Sequence, residues 1–346
     1  MPSYAILLNP GHNRVYYETS IKLSGAEFSI VAKNIPAERE GVELKNICGV
    51  DYATFQTISE LSPSDIELIS GLSFFYALFE IKHIDGELYL KPIGKVKASY
   101  VEESISTILK YTGKTNELFT RMMINVAYAS QSDKDGIKLL DPVAGKGTTL
   151  YEGLIKGFDV YGIEIGEKIV NEAHRYMKKY LETAGYKHEY TSMKISGPGK
   201  SYKAQRHTIN FAKTKEDYKG KLTKTFEIIA GNSLYADKFY KKNFFDIIVG
   251  DLPYGIQHGN VTNEKQSSTT RNPSELLGLC LSSWLEILKP GGCIVLSWNC
   301  NVLRRDKMEQ IFTEHGLVVK NELPYTQFEH RVDQAIFRDI IVARKE

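Results

Sequence analysis

A chain of 346 residues with 42% hydrophobic and 25% charged residues is long enough for two folded units and has the composition of an ordinary globular protein. Its net charge of +2 excludes the strongly basic balance that by itself points to nucleic acid, so such a partner has to be read from local clustering. The four cysteines form no CxxC pair and no zinc-spaced Cys/His group, no apolar run reaches about 18 residues, and the N-terminus MPSYAILLNPGHN lacks a basic start followed by a long apolar stretch; the expectation is a cytoplasmic protein with buried thiols, no metal and no membrane partner.

Residues 1–100 read as a small α/β unit. Residues 4–8 form a short apolar strand, and 20–33 carry apolar residues at roughly helical spacing. Ser62-Pro63-Ser64-Asp65 is a helix start, with Ser62 as the cap and Pro63 at the first helical position. Residues 73–81 and 87–93 then pair as a hairpin around Asp85-Gly86. Nine Lys/Arg against twelve Asp/Glu make this segment no basic clamp in bulk.

Residues 115–129 form an amphipathic helix leading into a second domain, 101–346, in which strands and helices alternate. The predicted strands are 137–140, 160–165, 226–230, 245–250 and 293–298. The helices are 148–156, 167–183, 273–288 and 304–315. Alternation of this kind implies a mainly parallel sheet covered on both faces. Pro290-Gly291-Gly292 makes the turn before the fifth strand, and 317–323 with 335–343 form an antiparallel pair at one edge.

Two irregular segments interrupt the plan. Residues 187–225 hold ten Lys/Arg and three Asp/Glu, with Tyr190, Tyr202, Phe211 and Tyr218 among the lysines, a pattern suited to phosphate contact and base stacking and equally to a solvated insertion. Gly197-Pro198-Gly199 suggests a turn within it, so a hairpin projecting over the site is expected. Residues 256–272 are polar and rich in Gly, Asn and Ser, and a loop that long inside a compact domain is usually functional or disordered. The eight histidines show no paired spacing; His258 and His330 are candidates for a place near the pocket, with a solvated or core histidine the stronger expectation for each.

The chemistry is concentrated in two places. Asp141-Pro142-Val-Ala144-Gly145-Lys-Gly147-Thr148-Thr149 follows a strand and opens a helix, and Gly145 and Gly147 let the backbone turn sharply and approach a ligand. Glu164 ends the next strand 19 residues after Gly145, the place for a carboxylate that accepts both ribose hydroxyls of an adenosine-type ligand. Neither the full dinucleotide fingerprint nor the P-loop pattern is present. The second place is Asp251-Leu252-Pro253-Tyr254-Gly255, at the end of a buried strand. The exocyclic amine of a base is a poor nucleophile because its lone pair is delocalised into the ring. The Asp251 carboxylate can accept one of its N–H groups and the Leu252 carbonyl the other. Pro253 stiffens the turn, and the Tyr254 ring can stack on a base that has left its helix.

In order and spacing these motifs resemble motifs I, II and IV of the Rossmann-like class I methyltransferases over about residues 110–346, and within that class the THUMP-associated family of S-adenosylmethionine-dependent tRNA guanine-N2 methyltransferases. The resemblance implies an α/β fold with a mainly parallel seven-stranded sheet, a small N-terminal ferredoxin-like domain as a candidate for RNA contact, S-adenosyl-L-methionine as cofactor, and N2-methylguanosine formation in tRNA. It implies Asp251, Leu252, Pro253 and Tyr254 as catalytic residues. For the cofactor it implies Asp141, Pro142, Ala144, Gly145, Gly147, Thr148, Glu164, Ile165, Asn232 and Ser233, with Asp141, Gly145 and Gly147 around the methionine part, Glu164 at the ribose and Asn232 at the adenine; the Asn116 region helps to close the pocket. Leu252 stands where the family commonly has Pro, Val143-Ala144 replaces a Phe-Cys pair, and 100 N-terminal residues are short for a ferredoxin-like domain plus a full THUMP domain. Three alternatives stay open: an adenine-N6 methyltransferase, a protein glutamine-N5 methyltransferase, and a non-catalytic RNA-binding protein on the same fold.

Overall fold

The computed structural model describes residues 1–9, 14–35, 42–96, 99–108, 114–132, 135–254 and 272–346. The chain forms two compact units, Met1–Ala98 with Asn321–Val332, and Ser99–Lys320 with Asp333–Glu346. Residues 321–332, expected in the C-terminal domain, thus belong to the first unit.

The first unit runs β1 (Ser3–Leu8), α1 (Arg14–Val31), β2 (Glu43–Ile47), β3 (Val50–Gln56), α2 (Pro63–Ser70), β4 (Phe75–Ile84) and β5 (Glu87–Ile93). Its five-stranded sheet has the order β2-β3-β1-β4-β5, with every neighbouring pair antiparallel. Alternation in β1 turns Tyr4, Ile6 and Leu8 into the core, where the Tyr4 ring stacks on Phe55 of β3 at 5.4 Å and Phe55 meets Phe28 of α1 at 4.9 Å. Ser62 caps α2 reciprocally with Asp65, and Pro63 occupies its first turn. Nothing in the sequence pattern announces β2, because four of its five residues are exposed and no apolar period exists to be read. At the β2–β3 turn Cys48 is exposed, and Cys300 of the other unit is half-buried. Only Cys280 and Cys293 are the buried thiols expected of all four.

The second unit begins with α3 (Ser104–Thr107) and α4 (Glu117–Ser130). Strand and helix then alternate through β6 (Lys138–Asp141), α5 (Thr148–Ile155), β7 (Asp159–Glu164) and α6 (Glu167–Ala184). The basic segment supplies β8 (Lys187–Ser196), β9 (Lys203–Ala212) and α7 (Lys215–Lys219). There follow β10 (Lys224–Ala230), α8 (Ala236–Phe239), β11 (Phe245–Asp251), α9 (Pro273–Ile287), β12 (Leu288–Asn299) and α10 (Arg305–Glu314), and the last strands of the chain are β13 (Leu317–Val319), β14 (His330–Arg331), whose residues belong to the first unit, and β15 (Phe337–Lys345). The main path of the sheet is β13-β15-β12-β11-β6-β7-β10-β9-β8. The five central strands β12, β11, β6, β7 and β10 are parallel, while β15 and β9 flank them antiparallel. Central strands covered on both faces need continuous apolar runs. In β11, Phe245, Ile247, Ile248 and Val249 are fully buried, each such side chain contributing about 1.5–3 kcal/mol of transfer free energy.

Three expectations change here. Among the described residues the sheet has ten strands where the resemblance implies seven. Part of the excess comes from the basic segment, in which His207, Ile209 and Phe211 alternate inward along β9 and so extend the sheet beyond β10. The β8–β9 hairpin therefore lies in the plane of the sheet as its edge and does not project over the site. Pro290-Gly291-Gly292 is a bulge inside β12: Leu288 pairs with Phe245 and Cys293 already with Ile247, leaving 289–292 outside the register. The final antiparallel pair is confirmed, with β15 lying between β13 and β12.

The hairpin is held by histidines that sequence spacing does not pair. His174 of α6 stacks on His207 of β9 with ring centroids 4.1 Å apart, and the Tyr190 hydroxyl lies 2.7 Å from His207 Nδ1. Burial pushes both imidazoles down, His207 to about 4, with His174 adding to the shift of His207, and Arg175 and Lys178 adding to that of His174. The unfolded chain takes up protons at its ordinary pKa near 6.5 while the folded chain does not, so this stabilisation is complete above about pH 6.5 and is lost as the pH falls toward 4. Thermal unfolding followed from pH 7.5 to 4 should show an acid loss of up to about 3 kcal/mol, and His207→Gln should flatten it. An unchanged pH slope in that variant would assign the acid sensitivity elsewhere.

Candidate functional site

The connections β6→β7→β10 run outward in one direction and β11→β12 in the other, so the order reverses between the neighbours β6 and β11. Helices depart to opposite sides there, which opens a crevice beyond the carboxyl ends of the strands. Asp141 ends β6, Glu164 ends β7, Asn232 stands two residues beyond β10, and Asp251 ends β11. The two motifs read from the sequence therefore share one edge of one sheet.

The loop after β6 is tied down by its own backbone. Ala144 N–H donates to Ile163 at 2.9 Å and Gly147 N–H to Ala144 at 2.8 Å, while Gly145 and Gly147 take positive φ values of 51° and 92° that side-chain-bearing residues rarely adopt. Gly162 of β7 allows the loop to lie this close, since a Cβ there would stand 2.8 Å from the Cβ of Ala144 and 2.9 Å from Leu150 Cδ1. Pro142 is buried, and Thr148 begins α5 with 8% exposure.

The Glu164 carboxylate accepts one backbone N–H on each oxygen, from Gly145 at 3.1 Å and Gly166 at 2.8 Å. Burial raises its pKa, and the Gly166, Gly145 and Ile165 amides oppose the rise. Each carboxylate oxygen has a second acceptor position, so a pair of hydroxyls can still be held. Asn232 caps the turn that follows β10: its Oδ1 accepts from Leu234 N–H at 2.9 Å, so the capping bond does not use the amide nitrogen. Ile165 is 53% exposed beside Glu164. Ser233 faces the core instead, its hydroxyl accepting the Trp284 indole N–H at 2.9 Å.

Asp141 is 3% exposed, and its Oδ1 accepts Val143 N–H at 3.0 Å. Burial pushes its pKa up to about 7, the Thr149 hydroxyl and Val143 amide pull it down, and the charges of Asp251 and Glu164 add to the rise. A cationic ligand in the crevice favours the ionised form, so affinity for such a ligand should climb as the pH rises toward 7 and level off above it. Isothermal titration with a cationic adenosyl ligand from pH 5.5 to 8.5 measures this, and Asp141→Asn should abolish the slope. A slope that persists in Asp141→Asn would place the titrating group elsewhere.

The Asp251 carboxylate receives three hydroxyls. Thr115, just before α4, donates to Oδ2 and Ser297 of β12 to Oδ1, while the Tyr254 hydroxyl lies 2.7 Å and 2.8 Å from the two oxygens. Register accounts for Ser297, which pairs directly with Asp251. Leu252 is 1% exposed, and its N–H donates to the Ser297 carbonyl at 2.9 Å, which pins the turn. Pro253 follows, half-buried. Arg338 of β15, 4% exposed, lies over the Phe119 ring at 3.5 Å and donates to the Tyr254 hydroxyl at 3.2 Å. Tyr254 thus meets Asp251 through its hydroxyl in this conformation. Burial and the Asp251 charge raise its pKa, and Arg338 opposes them.

Sequence reading misses Thr115, Ser297 and Arg338, since each reaches the site from a separate element through strand register or a helix start. Asn116 does cap α4, accepting from Leu118 and Phe119 N–H at 2.9 Å and 3.1 Å, and it is the preceding residue that touches Asp251. His330 falls in the first unit, with Nδ1 2.8 Å from the Phe328 carbonyl. Gly255, His258 and the polar loop to residue 271 lie outside the described residues. No helix among the described residues is long and apolar enough to cross a membrane.

No protein-family model matches the chain, and no curated protein matches it. Among solved structures it is similar to the TehB-like SAM-dependent methyltransferase of Corynebacterium glutamicum, with 15% identity, 61% of this chain and 81% of that one covered, and a TM-score of 0.34. It is similar to a 16S rRNA N2 methyltransferase of T. thermophilus solved with AdoMet and guanosine, with 15% identity, 88% and 58% covered, and a TM-score of 0.33. A third is an rRNA methylase of Streptococcus thermophilus, with 12% identity, 63% and 91% covered, and a TM-score of 0.32. Likenesses this weak decide nothing about activity, and the functional reading rests on the site.

Proposed function

We propose that this protein transfers a methyl group from S-adenosylmethionine to the exocyclic amino nitrogen of a nucleic-acid base, with N2 of guanosine in tRNA as the target. One observation carries the reading: the glycine loop with Glu164, suited to an adenosyl ligand, and the Asp251-Leu252-Pro253-Tyr254 turn, suited to an amine, occupy neighbouring strand ends at the point where the strand order reverses.

The residues present fit the cofactor. Glu164 keeps acceptor capacity for the ribose hydroxyls, the Asn232 amide nitrogen can donate to an adenine ring nitrogen, and Asp141 offers a carboxylate to the positive end of the ligand. When bound, S-adenosylmethionine supplies an electrophilic methyl on a sulfonium that is already a good leaving group. The remaining work is positioning and electrostatics. Asp251 accepts an N–H of the amine and turns its lone pair toward the methyl, and Leu252, held by Ser297, directs its carbonyl to the second N–H. A base presented this way must be extruded or unpaired. The β-α-β-β-α-β order of the first unit's elements through β4, with β5 added at the sheet edge, supports reading it as a ferredoxin-like domain, and we assign it to RNA contact.

Transfer of labelled methyl groups to total tRNA, rRNA, DNA and protein tests the substrate class. Label in tRNA is the expected result. Label confined to DNA or to protein would replace the substrate while keeping the cofactor, and no binding of S-adenosylmethionine would leave a non-catalytic protein on this fold.

A further inference from the structure

Arg338 sits on β15, far in sequence from either motif, yet it is buried against the site. Its guanidinium lies over the Phe119 ring at 3.5 Å and donates to the Tyr254 hydroxyl at 3.2 Å. Arginine has no acceptor, so the Tyr254 oxygen must accept there, and its single proton is then committed to the Asp251 carboxylate at 2.7–2.8 Å. The direction of the chain Arg338→Tyr254→Asp251 follows from donor and acceptor chemistry alone. The backbone is held at the same point: Asn299, the strand partner of Arg338, is 3.5 Å from the Tyr254 carbonyl through Nδ2 and accepts Phe337 N–H at 3.2 Å.

We propose that Arg338 is a positioning residue for the transfer reaction: it holds the Tyr254 hydroxyl, and that hydroxyl, with those of Thr115 and Ser297, orients the Asp251 carboxylate as the acceptor of the target amine. The inference rests on the methyl-transfer reading and adds to it that Tyr254 works through its hydroxyl as well as through its ring. An ionised carboxylate offers about four acceptor positions. Three hydroxyls approach them, with Tyr254 in reach of both oxygens, and because Asp251 is only half-buried an N–H of the substrate can enter where these hydroxyls leave an oxygen accessible. The cage selects where that N–H can sit, and a misplaced acceptor costs rate rather than cofactor binding.

The test is a double-mutant cycle in the full chain with Tyr254→Phe, Arg338→Met and the pair, measuring kcat and the KM for tRNA at saturating S-adenosylmethionine, cofactor affinity by calorimetry, and melting temperature. Each single variant should lose about 10²-fold in kcat with cofactor affinity within about threefold, and the double variant should lose no more than either single one, because both act through one hydroxyl. Arg338→Lys, which can still donate to that hydroxyl, should recover part of the rate. Full activity in Tyr254→Phe, or losses that multiply in the double variant, would overturn the proposal. Should Arg338→Met fail to fold, Tyr254→Phe alone decides, since it removes one oxygen atom. A readout independent of turnover separates this inference from the functional reading: in protein carrying ¹³Cζ-tyrosine, the Tyr254 resonance should shift in both Arg338→Met and Asp251→Asn. No shift in either would refute the contact chain even in an active enzyme, and a shift in an enzyme that methylates nothing would uphold the chain while removing the reaction.

Discussion

Asp251→Ala is expected to lower methyl transfer by about 10²–10⁴-fold while cofactor affinity stays within about threefold. The carboxylate ends β11 and faces hydroxyls from three separate elements, and its predicted partner is the substrate amine rather than the cofactor. Without it the amine loses the acceptor that turns its lone pair toward the methyl, and the Thr115, Ser297 and Tyr254 hydroxyls lose a shared partner. Asp251→Asn keeps the shape and one acceptor oxygen, so it should fall between wild type and alanine. Single-turnover transfer and calorimetry with S-adenosylhomocysteine, run on the same preparations, separate the two effects. If affinity for S-adenosylhomocysteine collapses together with the rate, Asp251 belongs to the cofactor pocket and its assigned role is wrong.

Glu164→Ala should have the opposite signature, weakening the cofactor by about 1–3 kcal/mol, the scale for losing charge-assisted hydrogen bonds. Two consequences combine in that figure. The acceptor for the ribose hydroxyls disappears, and the Gly145 and Gly166 N–H groups lose the oxygens that hold them. Glu164→Gln keeps one acceptor oxygen and should retain part of the affinity. With saturating cofactor, kcat should recover in both variants, because Glu164 acts before the chemical step. Unchanged affinity in Glu164→Ala would remove this residue from the site.

Much of the second unit is legible in the sequence because parallel strands buried on both faces declare themselves as apolar runs, and because the motifs sit at strand ends where the fold places ligands. Phe245 to Asp251 and the loop from Asp141 to Thr149 are such cases. What escapes the sequence has identifiable causes. Strand β2 carries no apolar period, since nearly all of it is exposed. The β8–β9 hairpin hides its inward alternation among lysines, so its charge suggests a hairpin projecting over the site where the backbone continues the sheet. Stacking is the role the sequence suggests for Tyr254, and it gives no sign that the hydroxyl meets Asp251 and accepts from an arginine more than eighty positions away along the chain. Thr115, Ser297 and Arg338 reach Asp251 only through tertiary contact, and a linear pattern cannot display that. Ser233 shows the converse: its place next to Asn232 suggests the cofactor, while its hydroxyl is bonded to Trp284 in the core.

The most direct measurement is nucleoside mass spectrometry of tRNA that has been incubated with the protein and isotopically labelled S-adenosylmethionine, then digested to completion. The account predicts labelled N2-methylguanosine, absent when Asp251→Ala protein is used. Labelled N6-methyladenosine would keep the amine chemistry and change the base. Label on carbon, on ribose, or on no nucleoside at all would contradict the claim that Asp251 presents an exocyclic amine to the methyl group.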